Sequence, residues 1–165
     1  MGRFRYGVCE WSVKARGAAL CQLAADEKLD CVQLGVGEEI FCGKGLADPA
    51  VAEEYLEASE KYGVEIDSQN LYALGGTSMA RYFTALADVI AGVHLKDGVG
   101  SMLSGSLLGE GTSGFYRTAG AILDSGYGGS LIIESVYDKP TICKLGSERE
   151  LLARDAATLR RVFEK

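Results

Sequence analysis

The sequence predicts an α/β fold whose core is a parallel sheet of about five strands. Short apolar runs of strand length alternate along the chain with longer segments in which apolar residues recur at helical spacing. A helix separates or follows each predicted strand, and no two-residue hairpin joins one strand to the next. Because crossover helices return the chain to the same end of a sheet, this alternation predicts parallel pairing. A chain of 165 residues fits one domain.

The first half of the chain contains three predicted strands. Residues 5–9, 31–34 and 64–66 are short and largely apolar, which is typical of buried strands. A helix is predicted between the first two strands, over residues 17–28, because its apolar side chains recur at helical spacing. A glycine-rich loop, residues 35–45, follows the second strand.

A second helix is predicted between this loop and the third strand. It begins at Asp48 and Pro49, because aspartate accepts hydrogen bonds from the free amides at an N-cap and proline suits the first helical position. Gly63 ends it. The apolar stripe of this helix is predicted to consist of Val51, Tyr55, Leu56 and Tyr62.

The second half of the chain adds two strands and three helices. The predicted strands span residues 89–95 and 131–134. The predicted helices span residues 79–87, 113–125 and 148–163. The last helix starts with Ser-Glu-Arg-Glu, a capping box in which a hydroxyl and a carboxylate satisfy free amides reciprocally.

Composition excludes several classes of partner. The formal net charge is −6 and no block of lysine or arginine occurs, which argues against nucleic acids and anionic membranes, whose phosphates require clustered cations. No apolar run approaches the roughly 18 residues that a membrane-spanning helix needs. The five cysteines are odd in number and never spaced Cys-x-x-Cys, and the first residues contain no apolar signal core. We therefore expect a cytoplasmic protein with free thiols.

Polar residues gather where the predicted strands finish. They are Glu10 and Trp11 after the first strand, Asn70 after the third, His94 and Lys96 at the end of the fourth, and Glu134 at the end of the fifth. In parallel β/α folds, functional groups lie at the carboxyl ends of the strands. We therefore expect these side chains to form one site, in which the only histidine of the chain lies near Glu134.

Several motifs carry a family resemblance. Residues 93–97 read Val-His-Leu-Lys-Asp, residues 108–111 read Leu-Gly-Glu-Gly, and residues 123–134 contain Gly-Tyr-Gly-Gly and end on glutamate. These motifs resemble the last two β/α units of the sugar phosphate isomerase/epimerase family, the xylose-isomerase-like TIM barrels. Residues 6–11, residues 23–34 and the helix leading into the third strand resemble the first three units.

The resemblance implies a TIM-barrel-derived partial barrel of about five strands. Residues 1–76 match the first three units and residues 80–165 the last two, all within a single domain. A complete barrel has eight strands and about 250 residues. The shortfall of roughly 85 residues corresponds to three β/α units, and it falls between Gly76 and Arg81, where the fourth to sixth strands would lie.

The resemblance also implies a metal and a reaction. Such proteins hold one divalent cation (Mn, Mg, Co or Zn) with two glutamates, one aspartate and one histidine, and they isomerise or epimerise small sugars or sugar phosphates. His94 and Glu134 match two of the four ligands. Glu134 would also exchange a proton with an enediolate, as general acid and base. The other two ligands belong to the missing units, and Glu10, Asp67 and Asp97 are the possible substitutes.

The remaining site residues admit two interpretations each. Lys96 is expected either to contact an anionic substrate or to pair with Asp97 at the rim. Trp11 is expected either to stack on a sugar or to cover the end of the barrel, and Glu10 and Asn70 are candidate substrate contacts. His94 and Glu134 also have ordinary interpretations, as a hydrogen-bonded structural histidine and a strand-end charge.

Three functions remain open on the sequence. The first is a metal-dependent sugar isomerase or epimerase whose site is completed by another chain or by substitute ligands. The second is an inactive barrel remnant, natural or engineered, and the third is a carbohydrate-binding module without enzymatic activity. Because five strands of a barrel would leave two sheet edges and an apolar interior exposed, we also expect a homo-oligomer.

Overall fold

The computed structural model describes residues 4–34, 49–67, 92–99 and 105–164. The strands are β1 (Arg5–Cys9), β2 (Cys31–Gln33), β3 (Glu65–Asp67), β4 (Gly92–Leu95) and β5 (Ser130–Ile133). The helices are α1 (Ala18–Asp26), α2 (Pro49–Tyr62), α3 (Phe115–Asp124) and α4 (Glu148–Phe163). Two short 3-10 turns, Glu10–Ser12 and Cys143–Leu145, follow β1 and precede α4. The predicted loop at residues 35–45, Asn70 and the predicted helix at residues 79–87 lie outside the described residues.

The five strands form one sheet in the order β3-β2-β1-β5-β4, and all of its pairs are parallel. The predicted parallel α/β architecture is confirmed. Each consecutive pair, β1 to β2, β2 to β3 and β4 to β5, steps one position in the same direction across the sheet. Because crossovers are right-handed, connections that all step in one direction place their helices on one face of the sheet.

Contacts between the helices agree with a single helical layer. The Gly17 amide, at the start of α1, donates a hydrogen bond to the Tyr55 hydroxyl of α2 at 3.0 Å. Helix α4 contacts the other end of α1: Arg149 Nε donates to Glu27 Oε1 at 2.8 Å, and Arg160 Nη2 donates to the Glu27 carbonyl at 2.7 Å. Arginine at this position satisfies a carbonyl that the end of α1 leaves free.

Strand residues alternate between two faces of the sheet. One set packs with the helices in the main apolar core: Tyr6, Val8, Val32, Val93, Leu95, Leu131 and Ile133. The opposite set forms a small separate cluster, which we call the inner face, made of Cys9, Cys31 and Ile132 with Trp11 packed against it. The alternation follows from the period of two in a strand.

The inner face is not open to solvent in the described part of the chain. Cys9, Gln33 and Ile132 have relative exposures of 0% within a single chain. The apolar interior that the sequence led us to expect at the surface is therefore buried at these positions. The homo-oligomer remains a prediction, but exposure of the apolar interior does not support it at these positions.

The apolar stripe predicted for α2 is wrong at Leu56, Tyr62 is half-buried, and the side chain of Val51 lies outside the described part of the structure. Tyr55 and Ala58 are buried, whereas Leu56 is 62% exposed. Residues three apart share a helical face, so Ala58 joins Tyr55 on the core side and Leu56 lies off that face. The predicted end of the helix is confirmed, because Gly63 follows it with a φ of 65°.

The helices of the described ranges include none that is both long enough and apolar enough to cross a membrane. Four cysteines in those ranges carry free thiols: Cys9, Cys21 and Cys31, which are buried, and Cys143, which is exposed.

Replacement of Gly7 by alanine is expected to destabilise the sheet. A Cβ atom at Gly7 would lie 2.5 Å from Cys31 Sγ and 2.8 Å from both the Cys31 carbonyl and Ile132 Cδ1. The neighbouring strands must shift to relieve this overlap, so Gly7→Ala should lower the free energy of unfolding by about 1 to 3 kcal/mol. Urea denaturation measures the change.

Gly120→Ala is the matched control, because a Cβ at this position in α3 meets nothing within 4 Å. Alanine is the better helix former, so this variant should be unchanged or up to about 1 kcal/mol more stable. Equal stability of Gly7→Ala and the wild type would contradict the packing described for β1.

Candidate active site at the strand ends

The ends of β4 and β5 bring the predicted site residues together. Leu95 and Ile133 are paired in the sheet, and the Glu134 amide donates to the Leu95 carbonyl at 2.9 Å. The next residues, Lys96 and Glu134, therefore leave the two strands side by side. Lys96 Nζ lies 2.9 Å from Glu134 Oε2, and His94 Nδ1 lies 3.3 Å from the same oxygen.

The three charged or titratable side chains differ in exposure. The side chains of His94 and Glu134 are 7% and 11% exposed, whereas that of Lys96 is 32% exposed. Burial by itself raises the pKa of Glu134, but the hydrogen bonds from His94 and Lys96 and the charge of Lys96 outweigh it and lower this pKa to about 2. Glu134 is therefore a carboxylate at neutral pH, with one oxygen engaged by both neighbours.

Trp11 forms one wall of this site. Its ring stacks on the His94 ring at a centroid distance of 5.8 Å and an angle of 29°. The 3-10 turn Glu10–Ser12 positions Trp11, and within that turn Ser12 Oγ donates to the Ile133 carbonyl at 3.3 Å. We call Trp11, His94, Lys96 and Glu134 the strand-end site.

Cys9 is a neighbour of His94 that sequence reasoning missed. Its sulfur lies 3.7 Å from His94 Nδ1 and donates to Gln33 Oε1 at 3.6 Å. Burial and the charge of Glu134 raise the pKa of this thiol well above its ordinary value, so it is protonated and a poor nucleophile. Its position at the end of β1 was the available signal, but only the pairing of β1 with β5 places it beside a residue of β4.

Of the two other predicted substrate contacts, Glu10 and Asn70, the structure describes only Glu10. Glu10 is buried, with 4% of its surface exposed, in the turn that follows Cys9. Its charge is among the smaller causes that raise the pKa of Cys9. Asn70 lies outside the described residues. Asp67 ends β3 and pairs in register with Gln33, and its side chain is also outside the described part of the structure.

Asp97 has a structural role, which corrects two expectations from the sequence. It is 1% exposed and does not pair with Lys96 at the rim. Its Oδ1 accepts hydrogen bonds from the Gly98 amide at 2.9 Å and the Ser113 amide at 3.2 Å, and its Oδ2 accepts from Gly109 at 3.1 Å and Gly111 at 3.0 Å. The Ser113 hydroxyl also donates to it. Because hydrogen bonds occupy both of its oxygens, Asp97 is not suited to serve as the substitute metal ligand that the sequence suggested.

Asp155 of α4 ties together the segments that follow β4 and β5. Its Oδ1 accepts from the Leu108 amide at 2.8 Å, and its Oδ2 accepts from the Tyr137 hydroxyl at 2.9 Å. Asp155 is fully buried, and burial raises its pKa to about 6. Sequence reasoning missed this residue. The signal was an aspartate at a core position of the helix, in helical spacing with Leu151, Leu152 and Leu159.

The described residues do not fit a divalent cation by themselves. They contain no group of three or more histidine, cysteine, aspartate or glutamate side chains arranged to hold one. His94 and Glu134 are adjacent, but two side chains fall short of the three or four protein ligands typical of such sites. The Glu134 oxygen that faces His94 also carries the Lys96 ammonium group.

Comparison with known proteins adds no family. The sequence matches no protein-family model and no curated protein. The resemblance to sugar phosphate isomerases therefore stays a prediction from the motifs.

Asp97→Ala should strongly destabilise the loop that joins β4 to α3. The substitution leaves buried amides without an acceptor, and each such group costs about 1 to 3 kcal/mol. We expect a loss of at least about 3 kcal/mol in the free energy of unfolding, measured by urea denaturation. Asp124→Ala, which removes an exposed carboxylate, is the control and should change stability by less than about 0.5 kcal/mol. Similar small losses in both variants would contradict the role given to Asp97.

Asp155 should make stability depend on pH in a defined direction. Its pKa in the folded protein, about 6, is above the ordinary 3.8, so folding favours the neutral acid. The resulting stabilisation is fully present below about pH 4 and is lost as the pH rises through about 6, a change of about 3 kcal/mol.

Asp155→Asn removes this titration and keeps an oxygen for the Leu108 amide. The free energy of unfolding, measured by denaturation, should therefore change less between about pH 4 and about pH 7.5 for the variant than for the wild type. Parallel pH profiles for the two proteins would show that Asp155 does not titrate in this range.

Proposed function

We propose that the chain binds a small sugar or sugar phosphate at the strand-end site and acts as an isomerase or epimerase. One observation carries the proposal: Lys96 and His94 converge on one carboxylate oxygen of Glu134 beside Trp11, where adjacent parallel strands end. The site therefore combines a cation, a carboxylate and an aromatic wall. These groups suit a ligand that carries hydroxyl groups and a carbonyl or phosphate oxygen.

The sheet order supports a barrel-derived fold for this protein. In a barrel that lacks its fourth to sixth units, the last strand pairs with the first and the order is the one seen here, β3-β2-β1-β5-β4. The helices lie on one face of the sheet, as they do around a barrel. We propose on this basis that the sheet is part of a TIM barrel, consistent with the resemblance of the motifs.

Each residue has a distinct task in the proposal. Trp11 offers its ring to the C–H face of a sugar, with His94 stacked behind it. Lys96, the most exposed of the three polar groups, donates to a carbonyl or phosphate oxygen and stabilises the negative charge that an enediolate develops. Glu134 accepts hydrogen bonds from hydroxyl groups.

Proton transfer at carbon requires a change at Glu134. A base with a pKa of about 2 removes carbon-bound protons poorly at neutral pH, because efficient bases have a pKa near the operating pH. Lys96 is one cause of that low pKa. In the proposal, a substrate oxygen draws Lys96 away, and the pKa of Glu134 then rises toward the useful range.

Hydrogen–deuterium exchange at carbon tests the proposed reaction. A panel of small aldoses, ketoses and their phosphates in D₂O, followed by NMR, should include at least one compound whose proton next to the carbonyl exchanges in the presence of the protein. Glu134→Gln should reduce the rate by about 10² to 10⁴. Lys144→Met, which alters an exposed lysine outside the site, should leave the rate unchanged. Absence of both exchange and binding across the panel would overturn the proposal.

A carbohydrate-binding module without turnover is the second candidate. The observation that favours it is the direct pairing of Lys96 with Glu134, which engages the carboxylate that the enzyme proposal uses as its base. In that case calorimetry would detect a bound sugar, Trp11→Ala would weaken binding by about tenfold, and no exchange at carbon would occur. A chain that neither binds nor exchanges would correspond to the inactive barrel remnant.

A further inference from the structure

We propose that the ammonium group of Lys96 is the resident cation of the strand-end site and takes the place of a divalent metal ion. The inference deepens the proposed function and rests on it only for the identity of the substrate.

The Glu134 carboxylate is already engaged by Lys96. Lys96 Nζ lies 2.9 Å from Glu134 Oε2, a hydrogen-bonding distance typical of a charge-assisted contact. His94 Nδ1 lies 3.3 Å from the same atom. Two atoms that bind one zinc ion at about 2.0 to 2.2 Å lie a little over 3 Å apart themselves, so the spacing of His94 and Glu134 does not by itself favour either cation. The ammonium group already occupies the oxygen that faces His94.

The charge of Lys96 beside this Glu134 oxygen also opposes a metal ion. A divalent ion at this place would lie within a few ångströms of the Lys96 ammonium group, which is anchored on a strand end beside Glu134. Two cations at such a distance repel, and the repulsion is strong where the surrounding side chains are mostly buried. Entry of the metal therefore requires that Lys96 leave first.

The described part of the site also has too few side chains that could bind a metal ion. The described residues contain no group of three or more metal-binding side chains. Asp97, the carboxylate nearest in sequence, uses both oxygens to hold the loop that joins β4 to α3. With two donors and a competing ammonium group, the His94–Glu134 pair is better completed by Lys96 than by a metal ion.

This arrangement has a functional consequence. An ammonium group presents rotatable N–H donors, whereas a divalent ion would chelate two substrate oxygens at once. The site should therefore bind a ligand through one carbonyl, carboxylate or phosphate oxygen that accepts a hydrogen bond from Lys96, and it should not require a second chelating oxygen. Chelators should not affect ligand binding.

Titration with metal ions tests the inference without any substrate. MnCl₂, CoCl₂ and ZnCl₂ would be added to the full chain and binding followed by calorimetry. Trp11 is the only tryptophan and stacks on His94, so its fluorescence reports on the site. We expect no saturable binding at this site in the wild type. In Lys96→Met we expect saturable binding of Co²⁺, with an affinity at least about tenfold above the upper limit that the wild-type titration sets. Lys96→Gln is the second uncharged variant, in case Lys96→Met does not fold.

Two controls assign the effect to the charge and to the site. Lys96→Arg keeps the positive charge and should behave like the wild type. Lys96→Met combined with Glu134→Gln should lose the affinity that Lys96→Met gained, because the carboxylate ligand is absent. One equivalent of metal bound by the wild type and lost in both His94→Asn and Glu134→Gln would overturn the inference, and so would unchanged affinity in both uncharged variants. A negative result with sugars would leave these outcomes intact, so the two proposals fail separately.

Discussion

The parallel pairing of β1 with β5 is the constraint on which the rest of the structure depends. Tyr6 pairs with Leu131 and Val8 with Ile133, although these residues are far apart in the chain. The pairing joins a group of three strands from the first part of the chain to a pair of strands from the last part. Without it, β1 with its following turn would not lie beside β5, and Trp11 would not reach His94.

The strand-end site follows from this pairing by simple geometry. The carboxyl ends of parallel strands lie together at one end of the sheet, and side chains two residues apart in a strand lie on the same face. His94 on β4 and Lys96 just after it therefore lie on the same side as Ile132 on β5 and Glu134 just after it. The site is strongly polar, because one carboxylate is shared between an ammonium group and an imidazole.

Two other buried carboxylates, Asp97 and Asp155, hold the segments that follow the strands at this end of the sheet. Asp97 accepts four backbone amides and a hydroxyl group, so its burial is compensated by hydrogen bonds. Asp155 has fewer donors, and burial raises its pKa. Both hold segments that follow β4 or β5. The loops around the strand-end site are thus fixed by polar contacts in addition to apolar packing.

Local patterns in the sequence determined the architecture. Alternation of apolar runs with amphipathic segments predicted every described strand and helix and their parallel pairing, because strand and helix periodicities are properties of short segments. The capping box at Ser147 was likewise predicted and is present, since both of its partners lie within one turn. Proximity of His94 and Glu134 also followed, because both end consecutive parallel strands.

Only the tertiary structure decided which partners the polar groups take. Sequence spacing did not distinguish Lys96 pairing with Asp97 from Lys96 pairing with Glu134, because the choice depends on which face of β4 each side chain occupies and on a loop that folds back. Cys9 beside His94 and Asp155 beside Tyr137 depend on contacts between distant elements. Burial, which sets the pKa of Asp155, is a property of the whole fold. The sequence determined where the polar groups lie along the strands, and the packing of the strands decided which charges meet.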